Sequence, residues 1–205
     1  MTASGAKDYF VRYGILGPNS TSAAAIYLKE IQPDLDSAPY SHPSKYIADI
    51  WEHVAKSRMS SSMYGSAFEL VLACVLIKEG LCPFYMSAEV LHVPNARFDL
   101  MFYSEEIGPI ALSAKTSLRE RYKQADLESL ALKAVHRRSK TFLITLDARE
   151  AQGVQQKIDS GHVASLSRCV VATSPTFDAL ITELHTYKMV EAPTLPIVDK
   201  GRLVR

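Results

Sequence analysis

Asp99 sits in "RFDLMF", a run otherwise apolar enough to be a core strand. Burying an isolated carboxylate is expensive unless a metal ion or hydrogen bonds compensate, so an aspartate there needs a chemical reason. Lys115 closes a second apolar run, "GPIALSAK". If the two runs pair as neighbouring strands, Asp99 and Lys115 converge on one point. Carboxylates bind Mg2+ through hard oxygen ligands, and a bound divalent metal can acidify a water and neutralise developing negative charge. A partly desolvated lysine shifts its pKa downward and can orient or deprotonate that water. Metal-assisted phosphodiester hydrolysis is the chemistry that such a pair suits.

The stretch after Lys115 is crowded with charge. "LSAKTSLRERYKQADLE" holds Arg119, Glu120, Arg121, Lys123, Asp126 and Glu128 within thirteen residues of Lys115. From Lys115 to Lys140, eight basic residues stand against three acidic ones, a local +5 in a chain of net charge +1. That asymmetry suits an embedded nucleic-acid footprint, whereas the overall charge carries no such signature. Plainer readings stand beside it. Ser117-x-x-Glu120 is also a capping box, and Arg119 and Arg121 could be solvated helix arginines. Glu128 lies seven residues beyond Arg121, nearly two helical turns and so on the same face. Glu69 interrupts "AFELVLACVLI" and is either a site carboxylate or an exposed first-turn glutamate favoured by the helix dipole. Trp51 reads as helix core, with a stacking platform as the sharper alternative. His53, His92, His136, His162 and His185 are scattered without ligand spacing.

The elements that must position these residues follow from pattern. A Ser/Thr-capped helix in "GPNSTSAAAIYLKEIQPD" ends at Pro33, a helix runs from Ser44 to about Arg58, and a buried, nearly all-apolar helix spans Ser61 to Gly80. Three strand candidates follow, Pro83 to Val93, Arg97 to Ser104 and Gly108 to Lys115. Turns at Pro94-Asn95 and Glu105 to Gly108 make them an antiparallel meander. A helix from Leu118 to about Arg138 precedes the strand "TFLITL", a helix ending at Gly161, the strand "SRCVVAT" and a capped helix in "SPTFDALITELHTYK". Helices on a mixed sheet are the simplest way to bury such strands.

Length and composition bound the rest. At 205 residues, 47% hydrophobic and 22% charged, one ordinary globular domain is expected. Cys74, Cys82 and Cys169 are odd in number and lack C-x-x-C pairing, which argues against a disulfide framework or a zinc site. The start "MTASGAKDYFVRYG" has no apolar stretch of signal-peptide length. The apolar run Leu70 to Ile77 is too short to span a bilayer. A cytoplasmic protein without membrane association is expected.

The order helix, three-strand meander, helix, strand, with Asp99 on the second strand and Ser113-Ala114-Lys115 closing the third, resembles the PD-(D/E)xK nucleases. Ser113 stands where most of them carry a carboxylate. The CC…GG-reading group of type II restriction endonucleases (the EcoRII/PspGI/NgoMIV group) makes the same departure, with (S/T)-x-K followed thirteen residues later by a helical Glu. Glu128 is thirteen residues after Lys115, and Arg119-Glu120-Arg121 matches that group's arginine-rich segment between them. Phe98 replaces the proline that often precedes the first aspartate.

The resemblance implies an α/β fold with an αβββαβ core and flanking helices. It implies one nuclease domain over residues 1–205, with 1–58 a helical part for dimerisation or DNA contacts and 61–187 the catalytic core. Asp99, Glu128 and possible partner Glu69 would hold Mg2+, Lys115 would position the water, and Ser113 would complete the motif. Arg119, Glu120 and Arg121 would read C·G pairs, since arginine donates to guanine O6 and N7 and a carboxylate accepts from cytosine N4. Tyr122 and Lys123 would contact the DNA backbone. The implied enzyme is a homodimer cutting double-stranded DNA to 5′-phosphate products, with no separate effector domain expected. Two other functions fit Asp99 and Lys115: a structure-specific or repair nuclease, and a non-catalytic DNA-binding protein in which they form a structural ion pair.

Overall fold

The computed structural model describes residues 9–57, 59–193 and 197–205. The first eight residues of the expected N-terminal part, and Arg58 as the end of its second helix, lie outside them. The helices are α1 (Tyr9–Arg12), α2 (Ala23–Ile31), α3 (Pro43–Val54), α4 (Ser61–Lys78), α5 (Arg121–Val135), α6 (Ala148–Asp159) and α7 (Pro175–Leu184). The strands are β1 (Phe84–Val90), β2 (Phe98–Ser104), β3 (Gly108–Lys115), β4 (Lys140–Thr145), β5 (Arg168–Val171), β6 (Met189–Val190) and β7 (Val198–Val204).

The sheet is mixed, in the order β5-β4-β3-β2-β1-β7, with β6 on β2. The expected meander is present: β1 and β3 both run antiparallel to β2. The next two steps, β3 to β4 and β4 to β5, are parallel. Parallel neighbours need a crossover connection, and α5 and α6 supply the two crossovers.

Alternation along β3 shows how the sheet is sandwiched. Ile110, Leu112 and Ala114 join the larger core cluster with Phe68, Val71 and Val75 of α4 and with buried residues of α2, α3 and α7. Ala111 faces the other way, with Met101 and with Leu132 of α5. A third cluster joins Leu118, Tyr122 and Ala125 to Leu143, Ala151 and Val154, so α5 and α6 cover that face. Phe10, Leu28 and Ile47 belong to the main cluster, which makes the described N-terminal helices part of one core rather than an appendage. By length and composition α4 is apolar enough to cross a membrane; half of it is buried inside the protein, as in a core helix.

The sheet extends beyond residue 187, where the expected core ended. β7 pairs antiparallel with β1 from Phe84–Val204 to Val90–Val198. "VDKGRLV" hides this strand because its burial is confined to its ends and two charges stand beside a glycine. Gly201 is required there: a Cβ would sit 3.2 Å from the Ala88 Cα, and its φ is +155°.

The helix expected from Leu118 starts at Arg121 and ends at Val135. Leu118 is fully buried, and Arg119 adopts φ +38°, which breaks the helical path before Arg121. The capping box does not form, because Glu120 itself occupies the cap position without a side-chain cap bond. The helix expected to reach about Arg58 ends at Val54.

Asp126 anchors α5. Its carboxylate accepts from the backbone amides of Ser165 (2.8 Å), Leu166 (3.2 Å) and Ala164 (3.4 Å), while the Ser129 hydroxyl donates to the Ser165 carbonyl at 2.9 Å. Hydrogen bonds to a charged group contribute more than neutral ones. Asp126→Asn is expected to lower unfolding stability by about 1.5–3 kcal/mol, measured by urea denaturation with unchanged helical circular dichroism before the transition.

Candidate active site

The register that pairs Leu100 with Leu112 carries β2 on to Asp99 and β3 on to Ser113 and Lys115. Ser113 is buried at 3% exposure, and the Lys115 and Asp99 side chains keep only 17% and 18% of theirs. Lys115 Nζ donates to Asp99 Oδ2 at 2.9 Å, and the Ala114 amide donates to the same oxygen at 2.7 Å. Among the described residues nothing donates to Asp99 Oδ1. The aspartate is thus fixed by one oxygen, and the other remains a possible ligand.

Two further carboxylates come within electrostatic reach of this pair from opposite layers. Glu69, on α4, has its pKa raised to about 7, first by burial and then by the negative charge of Asp99, against opposing pulls from Lys115 and Arg97. Glu128, on α5, is also raised, chiefly by burial and additionally by Asp99. Its hydrogen bond from Gln124 (2.8 Å) and the charge of Lys115 act in the other direction. The fold therefore gathers Glu69, Asp99, Lys115 and Glu128 from four elements. Fully ionised, three carboxylates outnumber the Lys115 ammonium and the Arg97 guanidinium beside them, and two of the three acids respond by holding their protons more tightly.

The carboxylates of Asp99, Glu69 and Glu128 are oxygen donors of the kind a hard cation such as Mg2+ takes. Among the described residues no three acidic, histidine or cysteine side chains stand close enough to enclose a metal. Mg2+ needs no such cage, because it keeps several waters and takes one or two protein carboxylates. Glu69 also lines a cleft of about 670 Å3 together with Arg97, Ser87, Met86 and Arg202. Arg97, missed in the sequence reading, is exposed beside the site and has no ion-pair partner among the described residues.

The charged stretch divides into parts. Asp126 is structural. Glu120 forms an exposed ion pair with Lys123 and makes no capping bond. Tyr122, expected at the DNA backbone, is buried, its ring lies under Lys157, and its hydroxyl accepts from Lys157 Nζ at 2.8 Å. The guanidinium groups of Arg119 and Arg121 have no partner among the described residues. Both line a hollow of about 360 Å3 with Trp51, Tyr64 and Ser117. Trp51 packs on Phe68 and Tyr64 at ring distances of 5.6 and 6.0 Å, as a helix-core residue does, with part of its surface on this hollow.

Glu150 also went unrecognised. "DARE" is a capping-box pattern, and half of the box forms, with the Glu150 amide donating to the Asp147 cap at 2.9 Å. The carboxylate reaches elsewhere, to the amides of Leu118 (2.5 Å) and Arg119 (3.1 Å).

The raised Glu69 pKa has a measurable consequence. The unfolded chain titrates this group near its ordinary value, so the folded protein binds the proton more tightly. Its contribution is fully present below the unfolded pKa and is lost as pH rises through about 7. Glu69→Gln removes that loss. The variant should gain stability relative to the parent between pH 5 and pH 8, by on the order of 2–3 kcal/mol at the upper end, measured by thermal unfolding across that range.

No family model and no curated protein matches the sequence. Among solved structures, the chain is similar to a restriction endonuclease PspGI–substrate DNA complex, with a TM-score of 0.46 and 19% identity over 82% of this chain. The match covers 64% of the PspGI chain, so this chain spans less than two thirds of that protein's length.

Proposed function

We propose that the chain is a Mg2+-dependent endonuclease that hydrolyses phosphodiester bonds of double-stranded DNA at a palindromic site with CC and GG half-sites. The observation that carries this reading is the charge deficit around Lys115: three carboxylates from three elements share one ammonium, and two of them have raised pKa values. A divalent cation relieves that deficit. Asp99 would offer Oδ1, Glu128 its carboxylate from α5, and Glu69 would release its proton near neutral pH on joining them. Bound Mg2+ supplies charge neutralisation at the phosphate and acidifies a water. Lys115, held by Asp99 Oδ2, orients the attacking water; buried Ser113 fills the motif position without contributing charge. In-line attack would leave a 5′-phosphate and a 3′-hydroxyl.

The recognition half of the proposal rests on Arg119 and Arg121, whose guanidinium groups have no partner among the described residues, which leaves both forks available for guanine edges. Glu120 would accept from cytosine after leaving Lys123, an exposed pair that is cheap to break. Lys123, so released, is then available to a phosphate. Cutting both strands of a palindrome calls for two copies of one site, hence a homodimer.

Plasmid digestion tests catalysis. Wild type should give discrete fragments with Mg2+ and none with chelator, and Lys115→Ala should slow cutting at least ~100-fold. Undiminished cutting by that variant would remove Lys115 from the mechanism; DNA binding in chelator with no cutting in Mg2+ would point to a non-catalytic binder. Arg119→Ala tests reading. Loss of roughly 10- to 100-fold confined to the preferred site is expected, whereas uniform weakening on every sequence would point to a nuclease without sequence preference.

A further inference from the structure

The short link between Lys115 and α5 has no internal cap. Ser117 and Glu120 do not form their box, Glu120 bonds to Lys123, and Arg119 holds φ +38°, a conformation that a non-glycine residue adopts at a cost. Inside the link the Arg121 amide donates to the Leu118 carbonyl at 2.5 Å, and a group from another helix ties it down as well. That group is Glu150, whose two oxygens take the Leu118 and Arg119 amides at 2.5 and 3.1 Å.

Glu150 is itself tied to the catalytic strands. Its amide donates to Asp147 Oδ1 at 2.9 Å, and the Asp147 amide donates to Thr145 Oγ1 at 3.2 Å. Thr145 is the ladder partner of Lys115 in the parallel β3–β4 pair. A continuous path therefore runs from the strand pair carrying Lys115, through Thr145, Asp147 and Glu150, to the backbone of Leu118 and Arg119. Fully buried Leu118 closes the loop by packing with Leu143 and Ala151. The carboxylate is spent on backbone amides rather than on a guanidinium, so it sets where Arg119 and Arg121 start without occupying them.

We propose that Glu150 is a positioning residue for sequence reading: it fixes the backbone from which Arg119 and Arg121 project, and registers them against the strand pair that carries Lys115. The proposal rests on the reading of those arginines as base-contacting groups. It assigns Glu150 no contact with DNA and no part in hydrolysis.

The test is competition binding in chelator. The probes are duplexes with CC and GG half-sites at stepped separations, and the same duplexes with each C·G pair replaced. Glu150→Gln puts an amide donor against one of two backbone donors, and should cut the preference for the best duplex roughly tenfold while leaving affinity for the replaced duplexes unchanged. Glu150→Asp keeps the charge on a shorter arm and should recover part of the preference; it also serves if Glu150→Gln folds poorly. In an Arg119→Ala background, Glu150→Gln should have little further effect, because it acts through that residue. Equal weakening on all duplexes, or an effect that adds fully to Arg119→Ala, overturns the proposal and leaves Glu150 a structural residue. A parent protein that binds all duplexes alike overturns the reading of the arginines, and the role of Glu150 with it; a parent that discriminates beside a Glu150→Gln variant that discriminates equally overturns the role of Glu150 alone.

Discussion

The parallel pairing of β3 with β4 is the constraint on which the site depends. Antiparallel neighbours can be joined by a tight turn, but parallel ones require the chain to leave the sheet, cross its face and return. Lys115 is the last residue of β3, so the chain must depart at the point where Asp99 and Lys115 meet. Whatever the crossover carries is delivered to the site by topology. Here it carries Leu118 as a buried anchor, Arg119 and Arg121 with open guanidinium groups, and Glu128 on the site-facing side of α5. The charge density of that segment follows from its double duty, as lid of the second hydrophobic face and as a wall of the polar centre.

That centre is under electrostatic tension. Asp99 is satisfied through one oxygen, by a lysine and a backbone amide. Glu69 and Glu128 enter half-buried from helices on opposite faces, where Lys115 and Arg97, or Gln124 and Lys115, oppose the loss of water. A protein built for stability alone would remove one of them. Perturbed carboxylates at the ends of central strands, next to an open cleft, are the arrangement that marks a functional-site candidate.

Much of this was legible in the sequence. The apolar strands between Pro83 and Lys115, the Ser22- and Ser174-capped helices and the helix-stopping Gly80 carry strong local signals, and the structure follows them. Asp99 and Lys115 stood out because charge in an apolar strand is anomalous. Four of the failures share one cause: they concern groups whose partners are distant in sequence. Glu150 looks like half of its own helix cap until its amide partners thirty-one and thirty-two residues away are seen. Asp126 looks like surface charge until the loop at Ala164–Leu166 folds onto it. Tyr122 looks exposed until Lys157 covers it. β7 has almost no apolar pattern of its own, because it is held by backbone pairing with β1.

That last pairing has a consequence in time. Phe84 of β1 is matched with Val204 of β7, some 120 residues later. At ordinary rates of synthesis, β1 waits roughly ten seconds for its outer neighbour. During that interval a strand beginning Phe-Tyr-Met presents an unpaired edge, the feature most prone to recruit other chains. Strong overexpression raises the number of such half-built sheets present at once. Yield of the protein should therefore be limited by how quickly its last strand arrives more than by the stability of the finished molecule.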